Sequence, residues 1–216
     1  MTSLYLFEEL APNERERLGD QAYVLRGFAL PFVNELLPAI TQIASLSPFR
    51  QMQTPGGYTM SVALTNCGKL GWVTDRSGYR YSRIDPQHSQ PWPAMPQSFT
   101  QLARTAAAEA GFPDFEPDAC LLNRYLPSSR MSLHQDKNER DFSAPIVSVS
   151  LGMTATFLFG GHQRSDRTAK VVLHHGDVVV WGGLDRMRYH GIMPLKGLAH
   201  PLLGEQRINF TFRKAG

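Results

Sequence analysis

Apolar positions follow two rhythms along this chain. After Pro31, residues Phe32, Leu36, Ile40, Ile43 and Ala44 recur at helical spacing, and Phe99, Leu102, Ala103, Ala106 and Ala110 form a second such stripe. Ser98 with Gln101 predicts a capping box at the start of the second helix, and Gly111 marks its end. From Cys120 the rhythm becomes that of strands, over 120–126, 146–151, 155–160, 171–174, 177–182 and 207–213. Between the helices, residues 50–97 place turn formers such as Pro55-Gly56-Gly57 and Asn66-Cys67-Gly68 around short extended pieces. Strands in close succession after two helices predict an α+β fold, a sandwich or small barrel with the helices packed outside it.

The strand Arg207-Ile208-Asn209-Phe210-Thr211-Phe212-Arg213 carries the most chemistry. Side chains alternate faces along a strand, so Ile208, Phe210 and Phe212 point one way and Arg207, Asn209, Thr211 and Arg213 the other. Facing solvent, the polar side is that of an amphipathic edge strand. Facing a barrel interior, two buried guanidinium groups need anions, and arms reaching inward from Cα atoms roughly 20 Å apart could hold the ends of a short dicarboxylate. In Cys120-Leu-Leu-Asn123-Arg-Tyr125-Leu126, Asn123 and Tyr125 share a face with Leu121. That suits the wall of a polar-ligand pocket, or a core Tyr beside a hydrogen-bonded Asn.

His134-Gln-Asp136, in an extended segment, sets imidazole and carboxylate on one face, and His190 follows much later. Two histidines and one carboxylate are the ligand set of mononuclear non-haem Fe(II) oxygenases. His-x-Asp alone is a weak signal, because His175-Gly176-Asp177 repeats it. Its Gly lies between two strand-like runs, so His175 and Asp177 are read as hairpin-turn residues. His88, His162 and His200 fall in loop-like surroundings and read as surface residues.

Composition adds limits. The chain has 216 residues, enough for one well-filled unit or at most two small ones, and no apolar run approaches the ~20 needed to cross a bilayer. The opening residues lack the build of a signal peptide, so a cytoplasmic protein without membrane contact is expected. The two cysteines, Cys67 and Cys120, form no Cys-x-x-Cys and indicate buried thiols. Residues 1–49 hold six acids and three bases, so the positive excess of the whole chain, +3, belongs to the remainder, where it could attract a polyanion.

Taken together, these residues resemble the AlkB family of Fe(II)- and 2-oxoglutarate-dependent nucleic-acid dealkylases, closely its bacterial DNA-repair members. The match runs from about Pro48 to the C-terminus, through Gln51-Met-Gln-Thr-Pro-Gly-Gly-Tyr-Thr-Met-Ser-Val, Asn123-Arg-Tyr, His134-Gln-Asp, Gly176-Asp-Val-Val-Val-Trp, Tyr189-His-Gly and Arg207-x-Asn-x-Thr-Phe-Arg. The resemblance implies a double-stranded β-helix, or jelly roll, with two covering helices and a nucleotide-recognition lid. It divides the chain into a loose arm (1–20), helices and lid (21–118) and a catalytic core (119–216), forming one structural unit.

The resemblance further implies that His134, Asp136 and His190 bind iron and are the catalytic set. Arg207, helped by Asn209 and Tyr125, would hold the distal carboxylate of 2-oxoglutarate, and Arg213 with Asn123 the metal-proximal end. Arg124 and the intervening Ile208, Phe210, Thr211 and Phe212 complete the cofactor-binding stretches. The segment from Lys69 to Arg83 mixes bases with aromatics, suiting phosphates and a displaced base. It makes Trp72, Tyr79, Arg80 and Tyr81 substrate contacts, joined by Asn138 and by Arg164 beyond the Gly160-Gly161 turn. The implied activity is O2-dependent demethylation of bases such as 1-methyladenine and 3-methylcytosine in single-stranded or duplex DNA, with RNA as a further substrate, by a monomer. It releases formaldehyde, succinate and CO2. The same chemistry on RNA, protein or a small molecule is the nearest rival, and a non-catalytic nucleic-acid-binding jelly roll the next. Two positions depart from the family pattern: Asn138 stands where the DNA-repair members carry an acid, with Glu139 beside it, and Arg188 stands where an apolar residue is expected.

Overall fold

The structure, a computed structural model, describes residues 14–216; most of the expected arm, residues 1–13, lies outside the described residues. Along the chain run strands β1 (Arg15–Arg17) and β2 (Ala22–Leu25), helix α1 (Val33–Leu46), then β3 (Arg50–Gln53), β4 (Thr59–Gly68), β5 (Gly71–Asp75), β6 (Gly78–Ser82), β7 (Ile84–Asp85) and β8 (Gln90–Pro91). Helix α2 (Gln97–Glu109) follows, and after it β9 (Ala119–Tyr125), β10 (Met131–His134), β11 (Ile146–Gly152), β12 (Ala155–Phe159), β13 (Ala169–Leu173), β14 (Val178–Trp181), β15 (His190–Ile192) and β16 (Arg207–Arg213).

Two antiparallel sheets face each other. The larger has the order β1-β2-β14-β11-β16-β9-β4-β3 and the smaller β10-β15-β12-β13, with β5-β6 and β7-β8 as separate hairpins. Alternation divides the large sheet cleanly. Its outer face sends Val147, Val149, Leu151, Ile208, Phe210 and Phe212 against Leu36, Ile40, Phe99 and Leu102 of the helices. Its inner face sends Ile146, Val179, Trp181 and Tyr125 toward Phe157, Phe159, Leu173 and Ile192 of the small sheet. Phe99 stacks on Phe210 with ring centroids 4.9 Å apart, which seats α2. The fold is the expected jelly roll with two covering helices, and its polar strand face points inward.

Several expectations need correction. Arg15–Arg17 is not loose: it pairs with Tyr23–Leu25 as an edge strand, invisible in the pattern because its charges face outward and main-chain bonds hold it. Residues before 119 also build the core, since β2 pairs with β14 and β4 with β9, so that boundary cuts through one sheet. Pro96, in extended conformation, is the N-cap of α2, and Ser98 lies inside the first turn without a capping bond. The C-terminus does close as expected: Gly111 has φ +93, with Phe112 N bonding Ala107 O and Gly111 N bonding Ala108 O, a Schellman motif. The turn at His174–Asp177 is not a hairpin, because β13 and β14 belong to different sheets and the turn carries the chain between them. Cys67 and Cys120, remote in sequence, are directly opposed across β4 and β9 as buried free thiols.

Candidate active site

The two short strands of the small sheet bring the expected histidines together. His134 closes β10, His190 opens β15, and the two are paired in register, with Asp136 two residues beyond. One ligand atom from each of His134, Asp136 and His190 lies within 4.8 Å of the others. Each imidazole is fixed by its far nitrogen: Nδ1 of His134 donates to Ser132 O at 2.9 Å and Nδ1 of His190 to Arg188 O at 3.0 Å. A carbonyl only accepts, so both Nε2 atoms keep their lone pairs, aimed at Asp136 from 3.7 and 3.9 Å. Burial, followed by His134, pushes His190 down to about 4, so it is neutral and ready to ligate near neutrality. Burial alone would raise the Asp136 carboxyl, but Arg213, then His190, His134 and Arg186, hold it well below the usual carboxylate range.

The inner face of β16 supplies the second half. Arg213 Nε and Nη2 lie 2.8 and 2.7 Å from Asp136 Oδ2, so this arginine holds the Asp136 carboxylate rather than standing free at one end of a clasp. Arg207 is 1% exposed; its Nη2 donates to Ser150 Oγ at 2.9 Å, its guanidinium lies 5.0 Å over the Tyr125 ring, and among the described residues its Nε and Nη1 have no hydrogen-bond partner. Two orphaned donors on a buried cation are costly unless an anion meets them. Asn123 Nδ2 donates to Asn209 Oδ1 at 3.3 Å, and Asn123 Oδ1 has no hydrogen bond among the described residues. Arg207, Arg213, Tyr125, Asn123 and Asn209, with Thr211, Met131, Phe157 and Trp181, line one cavity that also contains the triad. The residues therefore fit both groups: three convergent donors for a divalent metal and an unsatisfied arginine for a carboxylate.

Other expected residues lie elsewhere. Ile208, Phe210 and Phe212 face the helices, and Arg124 turns outward to lie 5.0 Å over the Phe49 ring; none of their side chains reaches the cavity, because alternation assigns them to the opposite face. In the β5–β6 hairpin, Trp72 and Tyr79 stack at 5.6 Å with planes 20° apart, Trp72 Nε1 donates to Asn138 Oδ1 at 3.1 Å, and Tyr81 OH donates to Glu139 Oε1 at 2.6 Å. Arg80 lies on the other face of that hairpin and pairs with Asp75 at 2.7 Å. Arg164 is exposed in the β12–β13 turn, at the end of the small sheet where Phe159 pairs with His190. Arg188 donates to Gly160 O at 2.9 Å and pairs with Asp185, so it braces that turn.

The second His-x-Asp is structural. Asp177 accepts from Arg26 Nη1, Gly27 N and His174 N, and His175 Nδ1 accepts from Gly152 N while its ring stacks on His200 at 4.3 Å, so His200 is not the free surface residue expected. Sequence reasoning missed Ser148 and Ser150, whose alternation in Ile146-Val-Ser-Val-Ser-Leu places them beneath Asn209 and Arg207. It also missed Arg186, 2% exposed, which donates to Asp136 O at 2.8 Å; no local pattern marks that residue.

Comparison with known proteins agrees with this geometry. The profile of the 2OG-Fe(II) oxygenase superfamily matches residues 21–213. The chain is 59% identical to the alpha-ketoglutarate-dependent dioxygenase AlkB of Escherichia coli (strain K12), over 99% of this chain and 98% of that protein. It is 58% identical to AlkB of Salmonella typhimurium, over 98% of both. Among solved structures, OsALKBH1 superposes with a TM-score of 0.80 at 26% identity, covering 93% of this chain and all of that one. By sequence, fold and ligand set alike, the chain belongs to the 2OG-Fe(II) oxygenase superfamily and, within it, to the AlkB dioxygenases.

Proposed function

We propose that this protein repairs alkylated DNA by oxidative demethylation of bases such as 1-methyladenine and 3-methylcytosine, acting as a monomer on single-stranded or duplex DNA. The observation that carries this reading is the joint presence, in one cavity, of the His134–Asp136–His190 set and the unsatisfied Arg207 donors. Bound Fe(II), with 2-oxoglutarate and O2 as co-substrates, supplies the oxidising power that converts an N-methyl group to one lost as formaldehyde, leaving succinate and CO2.

The chain's residues bind, orient and enclose. His134 and His190 offer Nε2 and Asp136 offers Oδ1, because Arg213 occupies Oδ2. Arg207 would take the distal carboxylate of 2-oxoglutarate through its guanidinium, held in aim by Ser150 and Tyr125. A planar fork suits a carboxylate better than a point charge. Trp72 and Tyr79 present flat rings for a base taken out of its stack, and Arg164 offers a cation for phosphate. Phe157, Trp181 and Ile192 wall the cavity against bulk water. Incubation with Fe(II), 2-oxoglutarate, O2 and methylated DNA and RNA oligonucleotides tests the reading. Formaldehyde and restored base on DNA are expected; 2-oxoglutarate consumption without any loss of methyl from nucleic acid would point to another substrate.

A further inference from the structure

In the loop after the metal carboxylate, Lys137, Asn138, Arg140 and Asp141 are exposed, but Glu139 is 6% exposed. A buried carboxylate needs partners. Glu139 Oε1 accepts the Tyr81 hydroxyl at 2.6 Å and lies 3.5 Å from Arg213 Nε; among the described residues Oε2 makes no hydrogen bond, and it faces Arg186 Nη2 as an ion pair at 3.2 Å. Both arginines also grip Asp136, Arg213 through Oδ2 and Arg186 through the main-chain oxygen. Two guanidinium groups and two carboxylates thus lie together beside the histidines, Arg213 meeting both carboxylates and Arg186 meeting Glu139 and the Asp136 main chain. Without Glu139, two cations would face one carboxylate beside a site that must admit a divalent metal.

Resting on the proposed function, we propose that Glu139 is a positioning residue for the metal centre. It neutralises Arg186 and Arg213, leaving Asp136 Oδ1 to the metal, and through Tyr81 it ties the β5–β6 lid to that carboxylate. Neither role requires Glu139 to touch the metal or the substrate.

Cobalt(II) alone, titrated into the metal-free full chain and followed by its visible ligand-field absorption, tests this. Relative to the unaltered protein, Glu139→Gln should weaken binding roughly 10- to 100-fold, the range seen for outer partners of metal ligands, and Glu139→Asp should recover most of it. Tyr81→Phe should weaken binding less, and adding it to Glu139→Gln should cost no more than Glu139→Gln alone. Unchanged affinity in a folded Glu139→Gln protein, or fully additive effects of the two changes, would overturn the inference while leaving the metal site intact. Should Glu139→Gln not fold, an unchanged affinity and spectrum in Tyr81→Phe would overturn it equally. No cobalt binding by the unaltered protein would remove the metal site itself, and this inference with it.

Discussion

Trp72 Nε1 donates a hydrogen bond to Asn138 Oδ1 at 3.1 Å, which ties the indole of the β5–β6 hairpin to the loop that follows Asp136. Alkylation of a ring nitrogen, as in 1-methyladenine or 3-methylcytosine, makes a base cationic, and an adjacent carboxylate favours a cation by charge as well as by hydrogen bonding. Asn138 keeps the acceptor and lacks the charge. The neighbouring Glu139 does not replace it, being committed to Tyr81, Arg186 and Arg213. Asn138→Asp should therefore raise kcat/KM for cationic lesions relative to neutral ones in the same oligonucleotide. Equal movement of both would place position 138 away from the base.

The two His-x-Asp motifs should separate by readout. Asp136→Ala should abolish turnover, and with it the stabilisation by metal, which is about 2.7 kcal/mol at 100 times the dissociation constant. Asp177→Ala should leave metal binding intact but destabilise the fold by roughly 1–3 kcal/mol, because Gly27 N and His174 N lose their acceptor and Arg26, though still held by Glu16 and Val172 O, loses the carboxylate it meets at 2.7 Å. Thermal unfolding with and without metal distinguishes them.

Arg207→Lys keeps the charge and removes the planar fork. Losing one charged hydrogen bond of about 1.5–3 kcal/mol should weaken 2-oxoglutarate binding, with metal affinity in its absence little changed. Calorimetric titration of the metal-loaded protein with 2-oxoglutarate measures this.

Much of this site was legible in alternation. The period of two in Arg207–Arg213 separates the cavity face from the helix face, and the structure keeps that separation at every residue of the strand. What the pattern could not carry is tertiary. Arg186 gains its role only because residues fifty positions apart meet at Asp136 O. Cys67 and Cys120 become neighbours only through the β4–β9 register. Ser148 and Ser150 alternate visibly with Val147, Val149 and Leu151, but nothing local says that their face meets Asn209 and Arg207 of β16. The capping box failed for a local reason: Pro96 already fixes the extended entry into α2 one residue before the helix begins.

Asp85 gives the fold a signature at acid pH. Burial opposes its charge, but Arg50, His88 and the Gln87 N–H outweigh it and bring the carboxyl down to about 2 from an ordinary 3.8. A depressed carboxyl contributes stability that is fully present above its unfolded value and is lost as pH falls toward its folded value. The loss should amount to about 2 kcal/mol between pH 4 and 2 and should be absent in Asp85→Asn. Denaturant unfolding of both proteins across that range provides the check.

The most direct test of the central claim is the stoichiometry of a single reaction. The protein, Fe(II), 2-oxoglutarate and O2 are combined with an oligonucleotide bearing one 3-methylcytosine, and formaldehyde, succinate and restored cytosine are counted together. One of each per methyl group removed is expected, with none from Asp136→Ala. Succinate formed without restored cytosine, or restored cytosine formed equally by Asp136→Ala, would contradict it.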